Sequence, residues 1–257
     1  MLTNLLIWVS SFLGYLPTAT PGTTYAVVVG ISDYKALSYA AGDLRFADRD
    51  ARQVVTFLQS KSGGNVPMAN IRLLTNRQAT LSAVQQALQL FRKAGTNDRV
   101  ILYFSGHGLP GSFVPYDARP GNQGKMLSYQ AIKAAFHESS AITKLCIADA
   151  CLSGGMTQQK ISRTAIESKV NDGRNVAMIL ASRSTQYAVE DGQLAGGAFT
   201  HFLIKGLTGQ GDLDGNGIVT IRELHQYVGP AVRKRTRGRQ TPMFYGRFSD
   251  SLPLSYR

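Results

Sequence analysis

Cysteine is scarce in this chain: its 257 residues include only two, Cys146 and Cys151. They lie five positions apart at the end of one predicted strand, where a disulfide between them would be sterically awkward. No Cys-X-X-Cys pair and no His-Glu-X-X-His motif occurs, so neither a disulfide framework nor a zinc site of those types is expected.

Acidic residues are also few: 16 Asp and Glu stand against 28 Lys and Arg, which gives a formal charge of +12 and a pI near 9.9. The densest basic run covers residues 233–239. No zinc finger and no basic strip interleaved with aromatics accompanies it, so we expect no specific nucleic-acid partner and attribute the charge to the surface. Binding to an anionic partner through this charge is an alternative function.

The sequence lacks a Pro/Ser-rich linker, an internal repeat and a long hydrophobic run, which favours one large α/β domain over residues 24–257. The apolar run at 5–16 is too short for a stable membrane span. It has the length of a signal-peptide core, although no Lys or Arg precedes it. We expect residues 1–23 to be a hydrophobic N-terminal segment for export. A cytoplasmic protein whose N-terminal helix or strand packs on the domain is the alternative.

After Gly22 the hydrophobic pattern alternates between buried strands and amphipathic helices. This alternation predicts a mostly parallel central sheet with helices on both faces. In such sheets the ligand site lies beyond the carboxyl ends of the strands. The predicted strands cover 25–30, 71–75, 100–104, 145–148 and 176–181, and the predicted helices 44–59, 81–91, 129–136 and 199–207.

Two of these strands end in reactive side chains. Ser105 and His107 follow one strand, Asp149 and Cys151 follow another, and the period of two places each pair on one side. A thiolate with a nearby imidazole is a nucleophile and base. The backbone N–H groups of Gly108 and Cys151 are the candidate oxyanion donors.

Each residue alone has an ordinary interpretation: a cysteine at a strand end is usually a small buried hydrophobe, and a histidine in a glycine turn is usually a hydrogen-bonded turn residue. The coincidence at two strand ends favours the catalytic interpretation. Cys146, between Leu145 and Ile147, is predicted to be core, and three further histidines lack any such setting. These are His137, His201 and His225.

Five segments, at 25–34, 47–51, 103–108, 149–154 and 181–184, resemble the caspase-like cysteine peptidases, in particular the bacterial and metacaspase branch. The resemblance covers residues 24 to 245. It implies a caspase-like three-layer sandwich and an endopeptidase with a Cys-His dyad that acts on protein or peptide substrates and needs no cofactor for its chemistry.

The resemblance also implies a specificity. Asp stands two residues before Cys151, as in metacaspases, so Asp50, Ser105 and Asp149 are expected to line a pocket for Arg or Lys before the scissile bond. A recessed carboxylate and a guanidinium are good partners. The competing interpretation is that Asp149 only caps backbone N–H groups of the turn. Leu152 departs from the family, because metacaspases often carry His there, and their acidic calcium cluster is not evident.

Residues 156–175 are predicted to form a mobile loop between the two halves of the domain. The loop carries Lys160, Arg163, Lys169 and Arg174, so a peptidase specific for basic residues could cleave it in itself. The alternative to a peptidase is a catalytically silent caspase-like module used in signalling.

Residues 212–223 match the twelve-residue EF-hand loop, with Gly217 at the sharp turn. The loop predicts a calcium site, flanked by helices at 199–207 and 221–228. The alternative is an acidic turn and helix cap without metal. The candidate ligands are Asp212, Asp214, Asn216, Glu223, the carbonyl of Ile218, and Thr220 directly or through water.

Overall fold

The computed structural model of this protein describes residues 22–36, 44–109, 111–119, 126–150, 175–182 and 189–257. The predicted N-terminal segment 1–23 lies outside them except for its last two residues. Within the described residues no helix is both long and apolar enough to cross a membrane.

A six-stranded sheet forms the centre of the domain, in the order β12-β8-β7-β3-β1-β2. Five strands are parallel, and β12 joins one edge in the antiparallel direction. The predicted mostly parallel α/β sheet is therefore confirmed. The strands of this sheet are β1 (Thr24–Gly30), β2 (Ile71–Thr75), β3 (Arg99–Gly106), β7 (Thr143–Ala150), β8 (Asn175–Leu180) and β12 (Met243–Arg247).

In the part of the chain that the structure describes, seven short strands form three small ladders outside the main sheet. The first ladder follows β3, the second precedes a helix, and the third includes the last strand of the chain. These strands are β4 (Gly108–Leu109), β5 (Ser112–Phe113), β6 (Leu127–Ser128), β9 (Glu190–Asp191), β10 (Gly196–Gly197), β11 (Ile218–Thr220) and β13 (Pro253–Tyr256).

Helices cover both faces of the sheet, as predicted. The α-helices of the described residues are α1 (Ala47–Gln59), α2 (Leu81–Leu88), α3 (Tyr129–Glu138), α4 (Ala198–Lys205) and α5 (Ile221–Arg235). Alternate residues of each central strand point to opposite faces, and each face builds a separate core. In β3, Leu102 packs with α2 and α3, whereas Tyr103 packs with α1, α4 and α5. Burial on both faces explains the continuous apolar runs.

Several predicted boundaries are wrong. Helix α1 begins at Ala47 rather than at 44, because the backbone N–H groups of Arg45 and Phe46 donate to Glu190. The helix predicted for 81–91 ends at Leu88 and continues as a 3₁₀ turn. The predicted loop 156–175 extends one residue too far, since Asn175 already pairs with Thr143 in the sheet. The rest of that loop, 156–174, lies outside the described residues.

Candidate active site

The register of β3 and β7 aligns the two strand ends that carry the predicted dyad. Ser105 pairs with Asp149, and Gly106 pairs with Ala150, in the parallel direction. His107 comes directly after Gly106, and Cys151 directly after Ala150. Cys151 itself lies outside the described residues. The residues directly before the predicted base and nucleophile therefore lie side by side at the carboxyl edge of the sheet.

Tyr34 fixes the backbone of His107. The N–H of His107 donates to the Tyr34 hydroxyl at 2.7 Å, and the two rings lie 5.0 Å apart between centroids. On the other side, the His107 carbonyl accepts a hydrogen bond from Val114. Gly108, the predicted oxyanion donor, is buried at the start of β4. The backbone of His107 is thus held from both sides, and the residue is partly exposed.

Asp50 and Asp149, predicted to share a specificity pocket, lie together against Gly197. Both are buried, at 2% and 5% exposure. The Gly197 N–H donates to Asp50 Oδ2 at 2.9 Å, and a Cβ placed on Gly197 would lie 2.2 Å from Asp149 Oδ2 and 2.9 Å from Asp50 Oδ2. Only a glycine leaves room for both carboxylates. Ser105, buried beside Asp149 in the register, belongs to the same layer.

Burial and repulsion strongly perturb this acidic pair. Desolvation raises the pKa of Asp50, and the neighbouring Asp149 raises it further. Burial also raises the pKa of Asp149, although hydrogen bonds from Thr200 oppose this. Asp50 Oδ1 has no hydrogen-bond partner among the described residues. A cationic group brought to this oxygen would satisfy it and reduce the repulsion between the two carboxylates.

A chain of hydroxyl groups orients Asp149. Thr200 donates to Asp149 Oδ2 through its hydroxyl at 2.7 Å and through its backbone N–H at 3.3 Å. Because that hydroxyl hydrogen is committed to Asp149, the Tyr103 hydroxyl at 2.6 Å is the donor to Thr200 Oγ1. These contacts do not belong to the turn after β7. The Asp149 carboxylate is therefore oriented by Thr200 of α4, which a role in capping the turn alone would not require.

Sequence reasoning missed four residues of the site: Tyr34, Glu190, Gly197 and Thr200. Glu190 accepts from the backbone N–H groups at the start of α1, the helix that carries Asp50. The Gly196-Gly197 pair before α4 is the one sequence signal available, because paired glycines next to a helix indicate a close approach of backbone. The others have no local signature, since their partners are distant in the chain.

Cys146 behaves as predicted for a core residue. It is a free thiol with 1% exposure, and burial raises its pKa to about 12. A thiol with this pKa carries negligible thiolate at neutral pH and is a poor nucleophile. His201 is partly buried in α4, and burial together with nearby Lys205 lowers its pKa.

No group of metal-ligating side chains is found at the strand ends within the described residues. Among the described residues, the one cluster with suitable geometry lies elsewhere, in the predicted EF-hand loop, and consists of Asp212, Asp214 and Glu223. The chemistry that the described residues offer at the carboxyl edge is that of an imidazole, hydroxyl groups and buried carboxylates.

A six-stranded, mostly parallel sheet between two helical layers, with a His and a Cys directly following two adjacent strands in the sequence, defines a caspase-like α/β protein. The caspase domain family matches residues 23–252, and the chain belongs to this family. A caspase domain indicates a cysteine peptidase that acts on protein substrates. No curated protein matches the sequence.

Solved structures agree on the fold. Protein GSU0716 from Geobacter sulfurreducens is similar with a TM-score of 0.62 and 19% identity, over 91% of this chain and 97% of that one. Caspase-1 from Spodoptera frugiperda is similar with a TM-score of 0.61 and 11% identity, over 88% of this chain and 86% of the caspase. The predicted caspase-like sandwich is confirmed.

Proposed function

We propose that this protein is a cysteine endopeptidase that cleaves after Arg or Lys, with Cys151 as the nucleophile and His107 as the general base and acid. The observation that carries the proposal is the pairing of Gly106 with Ala150, the residues directly before His107 and Cys151. Paired residues in neighbouring strands are about 5 Å apart, so the chain positions that follow them start within reach of each other.

The chemistry follows from these positions. His107 takes the Cys151 proton, and the thiolate sulfur bonds to the peptide carbonyl carbon while the carbonyl oxygen becomes an oxyanion. The N–H groups of Gly108 and Cys151 stabilise that charge. The C–N bond then breaks, and His107 gives its proton to the leaving amine. Water, deprotonated by His107, hydrolyses the resulting thioester and returns the thiol.

The preference for a basic residue rests on the acidic pair. Two buried carboxylates in contact with one glycine are unfavourable unless a cation joins them, and Asp50 Oδ1 has a free acceptor site. A guanidinium supplies up to five N–H donors and one positive charge. Binding of Arg therefore relieves a repulsion that an acidic side chain would increase. Lys supplies the same charge with fewer directed donors.

A matched series of fluorogenic peptides tests both parts of the proposal. The peptides differ only in the residue before the scissile bond: Arg, Lys, citrulline or Asp. Citrulline keeps the shape of Arg without its charge, so we expect Arg and Lys to be cleaved and citrulline to be slower by about 10²-fold or more. Cys151→Ala and His107→Ala should remove the activity. A folded wild type that cleaves no peptide would indicate the silent signalling module, and preferential cleavage after Asp would contradict the basic pocket.

Self-processing belongs to the same proposal. The segment 151–174 carries Lys160, Arg163, Lys169 and Arg174, which are suitable cleavage sites for such a specificity. Intact-mass measurements on the wild type should show fragments that end at one of these residues, and Cys151→Ala should remain whole. Identical intact masses would remove self-cleavage from the account.

A further inference from the structure

Three acidic side chains of the loop 212–223 lie close together. One oxygen from each of Asp212, Asp214 and Glu223 can be chosen so that all three lie within 4.8 Å of one another. Gly215 and Gly217 adopt left-handed φ angles of 75° and 85°, which turn the chain back on itself. The loop therefore brings acidic groups from both its ends to one point.

One of these acidic groups lacks a partner that its burial requires. The Asp212 side chain is completely covered, and its Oδ1 has no hydrogen-bond donor among the described residues. Its Oδ2 accepts from the Gly217 N–H at 3.1 Å. A covered carboxylate oxygen without a donor is costly, and a bound cation is a common reason for such an atom.

Hydrogen bonds within the loop engage the other ligand positions, and a cation would replace some of them. Asp214 accepts from the N–H and the Nδ2 of Asn216. Glu223 Oε1 accepts from the Leu213 N–H. Asn216 Oδ1 accepts from the Ile218 N–H, and the Arg257 N–H donates to the Gly217 carbonyl. In an antiparallel ladder, residues that hydrogen-bond to the partner strand alternate with residues whose N–H and C=O groups point away from it. Because Gly217 is bonded to Arg257, the carbonyl of the next residue, Ile218, faces away from β13. The Thr220 hydroxyl donates to Glu223 in a capping box at the start of α5. A bound ion would therefore be reached from the Thr220 position through a water.

Arg257 lies against the same cluster. Its guanidinium Nη1 is 3.3 Å from Asp212 Oδ2, and the arginine side chain is 56% exposed. Because the arginine side chain is exposed, water and salt screen its charge and weaken the pair. It supplies positive charge to Asp212 but leaves Oδ1 unsatisfied.

We propose that the loop 212–223 binds one calcium ion through Asp212, Asp214, Asn216, Glu223 and the Ile218 carbonyl, with a water at the Thr220 position, and that calcium displaces the Arg257 guanidinium. Oxygen ligands in a flexible loop suit calcium better than magnesium, which demands a stricter octahedron and loses its waters reluctantly.

This site is separate from the active site. The loop pairs with β13, and β13 carbonyls accept hydrogen bonds from Arg99, the first residue of β3. The active site lies past the last residue of the same strand. The ion would therefore stabilise the start of α5 and the β11–β13 ladder without contact with the reacting atoms.

Isothermal titration of the full chain with calcium chloride tests the proposal, with thermal unfolding at about 10 mM calcium as a second readout, a concentration above the range for weak EF-hand sites. We expect saturable binding of one ion, a raised melting temperature, and binding to magnesium at least about tenfold weaker. A folded wild type with no saturable heat and no thermal shift would overturn the site, and equal affinity for magnesium would overturn the assignment to calcium.

Variants locate the ion. Glu223→Gln retains an oxygen for the capping box but loses the charge and the bidentate carboxylate, so affinity should fall at least about tenfold. Asp250→Asn removes an equal charge from an exposed residue outside the loop and should change little. Arg257→Gln should bind calcium more tightly, because a competing cation is gone. Unchanged binding in Glu223→Gln or weaker binding in Arg257→Gln would contradict the proposal, whatever the peptidase assay shows.

Discussion

Asp50 in α1 and Asp149 at the end of β7 are held against the same glycine, Gly197, although Asp50 is separated from Gly197 by 147 positions in sequence. Neither carboxylate forms an ion pair among the described residues. Two buried carboxylates side by side destabilise the folded state, and a bound cation would offset this cost. This relationship links the fold to the proposed specificity, and the first predictions concern it.

Gly197→Ala should disrupt the acidic pair by steric contact alone. The glycine has ordinary dihedral angles, φ −66° and ψ 132°, so alanine adds no backbone strain, but its Cβ would lie 2.2 Å from Asp149 Oδ2. We expect kcat/KM for the Arg peptide to fall on the order of 10²-fold, since small displacements of positioning groups have effects of this size. Gly192→Ala in the neighbouring turn, where a Cβ meets nothing within 4 Å, is the matched control and should retain full activity. Equal activity of both variants would show that the pair does not need its present geometry.

The acidic pair should also make stability depend on pH. Because the folded state raises the pKa of both groups, it holds protons that the unfolded chain releases above a pH of about 4. The free energy of unfolding should therefore fall as the pH rises from that value toward neutrality. Asp50→Asn removes one titrating group. The free energy of unfolding of this variant minus that of the wild type, measured in urea, should therefore be more positive at pH 7.5 than at pH 4.5. If this difference in the free energy of unfolding were the same at both pH values, the ionised pair would not destabilise the folded state.

Thr200 should act as a positioning residue for Asp149. Thr200→Val removes the hydroxyl that donates to Asp149 and leaves the Tyr103 hydroxyl without its acceptor, which should lower the free energy of unfolding by about 1–3 kcal/mol. Loss of this donor also raises the pKa of Asp149 further, so the KM for Arg peptides should increase most at low pH. Thr200→Ser keeps the hydroxyl and should restore both properties. If Ser and Val behave alike, the hydroxyl chain has no such role.

Tyr34→Phe should slow the chemical step. The variant keeps the ring that packs near His107 but removes the acceptor of the His107 N–H. An unsatisfied donor in this place allows the histidine segment to shift, and we expect kcat to fall about tenfold with little change in KM, together with a displaced pH profile. Tyr129→Phe deletes a hydroxyl that bonds the Leu109 carbonyl in the next strand, and serves as the comparison. Indistinguishable kinetics for the two variants would argue against a positioning role for Tyr34.

The parallel strands could be predicted from the sequence because burial on both faces leaves a continuous apolar signal, as in β1 and β3. The polar residues at the ends of two strands could also be picked out from the sequence, but only the structure shows that these strands are neighbours and that Ser105 pairs with Asp149. Strand β12 was not predicted: its residues are mostly half-buried and include an exposed Gly246, so no continuous run marks it. Its antiparallel direction depends on a partner more than 60 residues away.

The residues around the acidic pair escaped prediction for a related reason. Thr200 and Gly197 act on Asp149 and Asp50 from 51 and 147 positions away, and such contacts leave no periodic pattern in either segment. Asp50 and Asp149 themselves were proposed from the family resemblance, and the structure adds their burial and their shared contact. The sequence could not show that Asp50 Oδ1 is buried without a hydrogen-bond partner, because this depends on how the elements pack.

Cys151 is the proposed nucleophile, and covalent labelling is the sharpest test of this role. The wild type is incubated with an Arg-terminated peptidyl acyloxymethyl ketone, digested and examined by peptide mass spectrometry. We expect a single adduct on Cys151 and none on the buried Cys146. Labelling should be much slower with the same reagent ending in Asp, and much slower in the His107→Ala variant. An unlabelled Cys151 in a folded protein, or labelling that ignores His107, would contradict this role.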